Sequence, residues 1–183
     1  MTPGPVLLGS TLAAILSVAA GCGGGSASTY RDRVGDVKGA DGPDIASVTV
    51  SDTATSVRFR VRFAAAPPLA ASTSEEWVDM LLIGIDVPPL GPAPAPSGWR
   101  GADYFVGLHG AQTAVRLAKL GSPGLDVLPA AVDGDTLSFS IPRSALGSPE
   151  WFEFSVAAGR ETEREGEGSE DYAPGDGTFR YRL

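Results

Sequence analysis

The sequence predicts an all-β domain, a single antiparallel β-sandwich of jelly-roll-like type with about eight or nine strands, and three observations predict it. Apolar and polar residues alternate with a period of two in several short runs. Turn residues punctuate the gaps between those runs. No segment sustains the 3.6-residue period, with caps, that a helix of ordinary length needs.

The first run is Ala46 to Val50, with Ala46, Val48 and Val50 facing inward. Val57 to Phe63 is the clearest, placing Val57, Phe59, Val61 and Phe63 on one face and Arg58, Arg60 and Arg62 on the other. Trp77 to Ile85 is more continuously apolar, as expected of a central strand covered on both faces. Tyr104 to His109, Thr113 to Leu120, Leu137 to Ile141, Phe152 to Val156 and Thr178 to Leu183 complete the set, separated by turns such as Gly121-Ser122-Pro123-Gly124, Asp133-Gly134-Asp135 and Gly175-Asp176-Gly177. Pro142 to Leu146 reads as a single helical turn after a strand. Pro88 to Ser97 is too proline-rich to supply ladder donors and reads as an extended surface loop. Glu161 to Asp171 reads as a mobile acidic loop. The predicted core is Val57, Phe59, Val61, Leu81, Ile83, Leu137, Phe139, Phe152 and Phe154.

Ahead of this domain, Val6 to Ala20 is an apolar stretch of signal-peptide size, shorter than the roughly 20 residues of a membrane-spanning helix. It ends in Ala19-Ala20-Gly21 before Cys22, the only cysteine, and so resembles the bacterial lipobox, in which the cysteine is acylated after cleavage. The resemblance implies a signal peptide over 1–21, lipidation at Cys22 and a domain held at the cell membrane, facing outside the cytoplasm. Two acyl chains of about 15 methylenes each, at ~0.8 kcal/mol per methylene, bound the attachment at the order of 20 kcal/mol. Residues 22–29 have the Gly/Ser composition of a flexible tether, and 30–183 form the sandwich.

The 14 basic and 22 acidic residues give a formal charge of −8, which argues against nucleic acid and against electrostatic docking on anionic lipid. It suits solubility, or divalent cations. Asp32, Asp36, Asp41 and Asp44 crowd one Gly-containing segment, where carboxylates and carbonyls can surround a hard cation. The spacing is not that of an EF-hand, and the same aspartates can equally form Asx-turns.

The segments GDVKGADGPDIASVTVS, IGID at Asp86, GADY at Gly101 to Tyr104, IPRSALG and the closing DYAPGDGTFRYRL follow one another in an order that resembles family 9 carbohydrate-binding modules and the DOMON superfamily. The resemblance implies a β-sandwich with structural Ca²⁺, and in some members a sugar gripped between aromatic rings. Carried over by position, Asp36, Asp44, Asp86 and Asp103 are the implied cation ligands. Val87-Pro88 stands where family members commonly carry a further aspartate. For a glycan ligand, the candidates are Trp99 and Arg100 in a hydrophilic loop, with Tyr104 and Tyr172 lining a cleft. Trp99 can also fold under its own loop, and Trp77 and Trp151 read as caps on the core.

Signals of catalysis are poor: there is no G-x-S-x-G, no H-E-x-x-H, and a single histidine, His109, which excludes a zinc site of several imidazoles, while carboxylate pairs for glycoside hydrolysis can be drawn among 22 acidic residues without the sequence fixing any separation. His109 with Met80 makes no convincing axial pair for haem. The reading is a membrane-tethered, non-enzymatic binding module for carbohydrate, with the alternative of an envelope scaffold that docks on another protein.

Overall fold

The computed structural model describes residues 25–39, 42–65, 77–88, 101–109, 113–162 and 168–183. Among them are eleven strands: β1 (Ala27–Arg31), β2 (Ile45–Asp52), β3 (Ser56–Phe63), β4 (Trp77–Asp86), β5 (Tyr104–His109), β6 (Ala114–Lys119), β7 (Leu125–Asp133), β8 (Thr136–Pro142), β9 (Trp151–Thr162), β10 (Ser169–Ala173) and β11 (Phe179–Arg182). The all-β expectation holds, and every run predicted from alternation is a strand. The strand count is higher than expected because β1, β7 and β10 carry little apolar alternation.

These strands form one antiparallel sheet in the order β1-β2-β3-β8-β7-β6-β5-β4-β9-β10, with β11 also pairing β9. Strands β4 to β8 run as a meander, and the non-sequential pairings are β3 with β8, β4 with β9 and β9 with β11. The sheet folds over on β7. Leu125 to Pro129 pair with β6, whereas Ala130 to Asp133 pair with β8, so one strand belongs to both halves. Pro129 stands at the changeover, where its missing N–H interrupts no continuing ladder. We refer to β1-β2-β3-β8 as the first half and β6-β5-β4-β9-β10/β11 as the second.

Folding over places both inner faces on one core. Phe59, at the centre of β3, stacks on Phe139 at 5.4 Å and meets Phe154 edge-on at 5.6 Å and Phe152 at 6.0 Å across the interior. All nine predicted core residues are buried. The 3₁₀ turn Arg143–Leu146 follows β8 as expected and ends on Gly147 in the left-handed conformation.

Opposite β7 the sheet nearly closes, and side chains replace the ladder there. Tyr30 of β1 lies 4.8 Å from Phe179 and 5.2 Å, edge-on, from Phe154, and its hydroxyl donates to the Arg180 carbonyl at 2.6 Å. The buried Tyr181 hydroxyl sits 2.6 Å from both the Ser26 carbonyl and Asp52 Oδ1, and burial, then Asp52, pushes its pKa up to about 12. β1 starts at Ala27, inside the stretch read as a tether, because these contacts fix it. Similarly, β9 and β10 take in both ends of the predicted acidic loop.

Phe59→Ala should cost about 3 to 5 kcal/mol, since three rings lose their common partner. Equilibrium denaturation measures it.

Candidate cation site at the closing seam

The segment between β1 and β2 is pinned over β10. Lys38 and Glu170 exchange backbone hydrogen bonds, each 2.8 Å. Gly39, at φ +97°, approaches so closely that a Cβ would stand 2.3 Å from the Gly168 carbonyl oxygen, and one at Gly42 would stand 1.9 Å from Ser169 Oγ. Only glycine fits at either position.

This packing brings together carboxylates that are far apart in sequence. Asp32, Asp36 and Asp171 each direct an oxygen into a group whose members all lie within 4.8 Å of one another. Asp171 is 2% exposed, because it takes an inward position on β10, and its Oδ2 accepts the Ile45 N–H at 2.5 Å. Burial first, offset in part by that N–H, and then the charges of Asp32, Asp36 and Asp44 push its pKa up to about 6. Burial also raises Asp32, with Asp36 and Asp44 adding to the effect. Asp44 Oδ2 accepts the Gly35 N–H at 2.8 Å. Asp44 Oδ1 and Asp32 Oδ2 are buried and have no hydrogen-bond donor.

Two oxygens bound to one Ca²⁺ at about 2.3 to 2.6 Å can stand no more than about 5 Å apart, so the 4.8 Å group meets that limit. The donor set, all carboxylate, is hard and suits Ca²⁺ in preference to a soft transition metal.

The four cation ligands predicted from sequence do not form one site. Asp36 and Asp44 belong to this corner, whereas Asp86 and Asp103 lie at the other end of β4, about 17 Å away from the level of Asp171, counting five residues at 3.4 Å. There Asp103 is buried and ties three strand ends: Oδ2 accepts the Val87 N–H at 2.9 Å, its own N–H donates to the Ile85 carbonyl, and its carbonyl accepts the Leu120 N–H. Asp86 is raised to about 6 by burial, by its hydrogen bond with Asp103 and by the charge of Glu153, its partner across the ladder. Glu153 is itself held low by Arg180, which also covers the Trp151 ring at 4.4 Å. Backbone hydrogen bonding accounts for Asp103 without a metal.

Asp32 belongs to the aspartate-rich segment read from sequence as able to surround a cation, though the family resemblance does not carry it over as a ligand, whereas Asp171 was missed and carries no signal beyond its place in the closing motif. Of the proposed glycan residues, Trp99 and Arg100 lie outside the described residues, as does Cys22. Tyr104 is 3% exposed in the core, its ring 5.6 Å from Lys119 Nζ, so it cannot line an open cleft. Tyr172 stands on the outer face of the second half, in one row with Ala157, Leu82 and Gly107, and its hydroxyl donates to Glu170 Oε2 at 3.1 Å.

No family model, curated protein or solved structure matches the chain. Among the described residues no helix is long and apolar enough to cross a membrane.

Asp86 and Asp171 bind protons more tightly folded than unfolded, so their contribution to stability is full below an unfolded value near 3.8 and is lost as pH rises through about 6. In EDTA, the melting temperature should therefore fall between about pH 5 and pH 7.5. A rise over that window would show that these two carboxylates do not dominate.

Proposed function

We propose that this chain is a membrane-tethered, non-enzymatic binding module of the cell envelope, whose acidic corner takes a structural Ca²⁺. The observation that carries the cation is the pair of donor-less buried oxygens, Asp32 Oδ2 and Asp44 Oδ1, beside the buried Asp171. A buried carboxylate oxygen without a donor costs several kcal/mol unless a cation or proton meets it. Asp32, Asp36 and Asp171 would hold the ion, with Asp44 alongside. The ion would tie the segment after β1 to β10, across the seam that the sheet does not close by itself.

Protons and Ca²⁺ compete for the same oxygens, so the ion reverses the pH preference expected of the metal-free chain. Millimolar Ca²⁺, at about a hundred times its Kd, should raise the melting temperature at pH 7.5 by about 5 to 10 °C over EDTA. Asp171→Asn should abolish that shift and leave the EDTA melt equal to or above that of the wild type. The same melt with and without Ca²⁺ would exclude the ion.

The ligand class we propose is a glycan, and the Cys22 lipobox supports the location. Support for a sugar platform comes from Tyr172 in its row with Ala157, Leu82 and Gly107, with Phe105 in the adjacent row. Trp99→Ala should weaken calorimetric affinity for uncharged cell-wall polysaccharide about tenfold or more, given ~0.5 to 1.5 kcal/mol for a ring pair beyond the area it buries. Unchanged affinity would remove Trp99 from the site.

A scaffold role has its own observation. Leu125 and Val127 are 51% and 64% exposed on the outer side of β7, next to Pro129, an apolar stripe of the kind that contacts proteins.

A further inference from the structure

The outer face of the first half carries a lattice of guanidinium and hydroxyl groups that the cation corner does not use. Arg58, Arg60 and Arg62 all point outward from β3 and are exposed, at intervals of about 7 Å. The registers set a hydroxyl on each side of every one: Ser51–Arg58–Ser140, Thr49–Arg60–Ser138 and Ser47–Arg62–Thr136. β1 extends all three rows, with Ala27 beside Ser51, Thr29 beside Thr49 and Arg31 beside Ser47.

Like charges at successive positions on one face of a strand repel, and the usual remedy is a carboxylate on a neighbouring strand. Among the described residues almost none is supplied here. Arg62 has a loose, exposed pair with Asp135 at 3.7 Å, and Asp133 closes that row beyond Thr136. Arg31, Arg58 and Arg60 form no ion pair among the described residues. A protein of net charge −8 thus presents one cationic sheet face whose in-register neighbours are hydroxyls.

We infer that this face binds an anionic glycan, a sugar chain bearing carboxylate groups. Guanidinium meets carboxylate through two parallel N–H donors, and serine and threonine hydroxyls both donate to and accept from sugar hydroxyls. A membrane surface fits less well. Peripheral membrane docking combines charge with apolar side chains that enter the headgroup layer, and among the described residues none of the exposed large apolar side chains, Val34, Leu125, Val127 and Val132, lies on β1, β2, β3 or β8. The inference rests on the glycan reading above for its ligand class and assigns the ligand to residues other than Trp99.

The test uses the full chain carrying Cys22→Ser, so that no acyl anchor contributes. Titration calorimetry is run against polygalacturonate and against neutral dextran of similar length, and co-sedimentation against vesicles with and without about 30% anionic phospholipid. Polygalacturonate alone should bind, and binding should weaken at high salt. The R58Q/R60Q double variant should lose about tenfold or more, with the melting temperature unchanged, since each substitution removes a two-donor contact to a carboxylate. Trp99→Ala should leave this binding intact. Absence of polygalacturonate binding, equal binding by the double variant, or stronger attachment to anionic vesicles than to the polymer would each overturn the inference. Loss in Trp99→Ala with retention in R58Q/R60Q would overturn it while supporting the Trp99 site.

Discussion

A single sheet with one apolar face hides that face by curling over, and the curl brings its first and last strands together without letting them pair. The rest of the structure depends on how that meeting is managed. On one side β7 passes from one half to the other and keeps its hydrogen bonds throughout. On the opposite side β1 faces the ends of β9's partners, and polar atoms there would be stranded without a substitute for the ladder. Tyr30, Tyr181 and the Lys38–Glu170 bridge supply it. Two tyrosines suit this role because each ring joins the core while its hydroxyl reaches the edge.

The acidic corner is a consequence of the same seam. For the segment after β1 to cover β10, Gly39 and Gly42 must approach Gly168 and Ser169 closely, and Asp171, two residues beyond Ser169, faces inward on the same strand and is buried. Its neighbours Asp32, Asp36 and Asp44 then repel one another in a medium that screens poorly. Concentrating unneutralised charge where the fold has no ladder is a poor arrangement for the bare chain. It becomes a good one if a divalent cation joins the two sides. The pair at Asp86 and Asp103 is different in kind, since Asp103 satisfies strand-end N–H groups and organises the approach to β5.

Net charge and charge placement lead to different conclusions. A formal −8 argues against anionic partners for the molecule as a whole, but a partner meets one face at a time. The registers of β2, β3 and β8 gather arginines and hydroxyls on one side of the sheet, while the carboxylates collect at the seam and at the far end of β4.

By itself the sequence determined the strands that bury an apolar face, because a period of two with large side chains is a local property that each strand states for itself. Val57 to Phe63 declares both its core side and its arginine side in this way. Strands β1, β7 and β10 were not legible for the converse reason. They exist because a neighbour offers them hydrogen bonds, and their own side chains alternate weakly, are exposed, or, as with Asp171, turn a charge inward. The cation corner followed the same division: the aspartate-rich segment was visible, whereas the split of Asp86 and Asp103 from Asp36 and Asp44, and the arrival of Asp171 from the end of the chain, were decided only by the tertiary structure. Pairing register is a long-range choice, made by whichever arrangement closes the core, and no spacing within one segment encodes it.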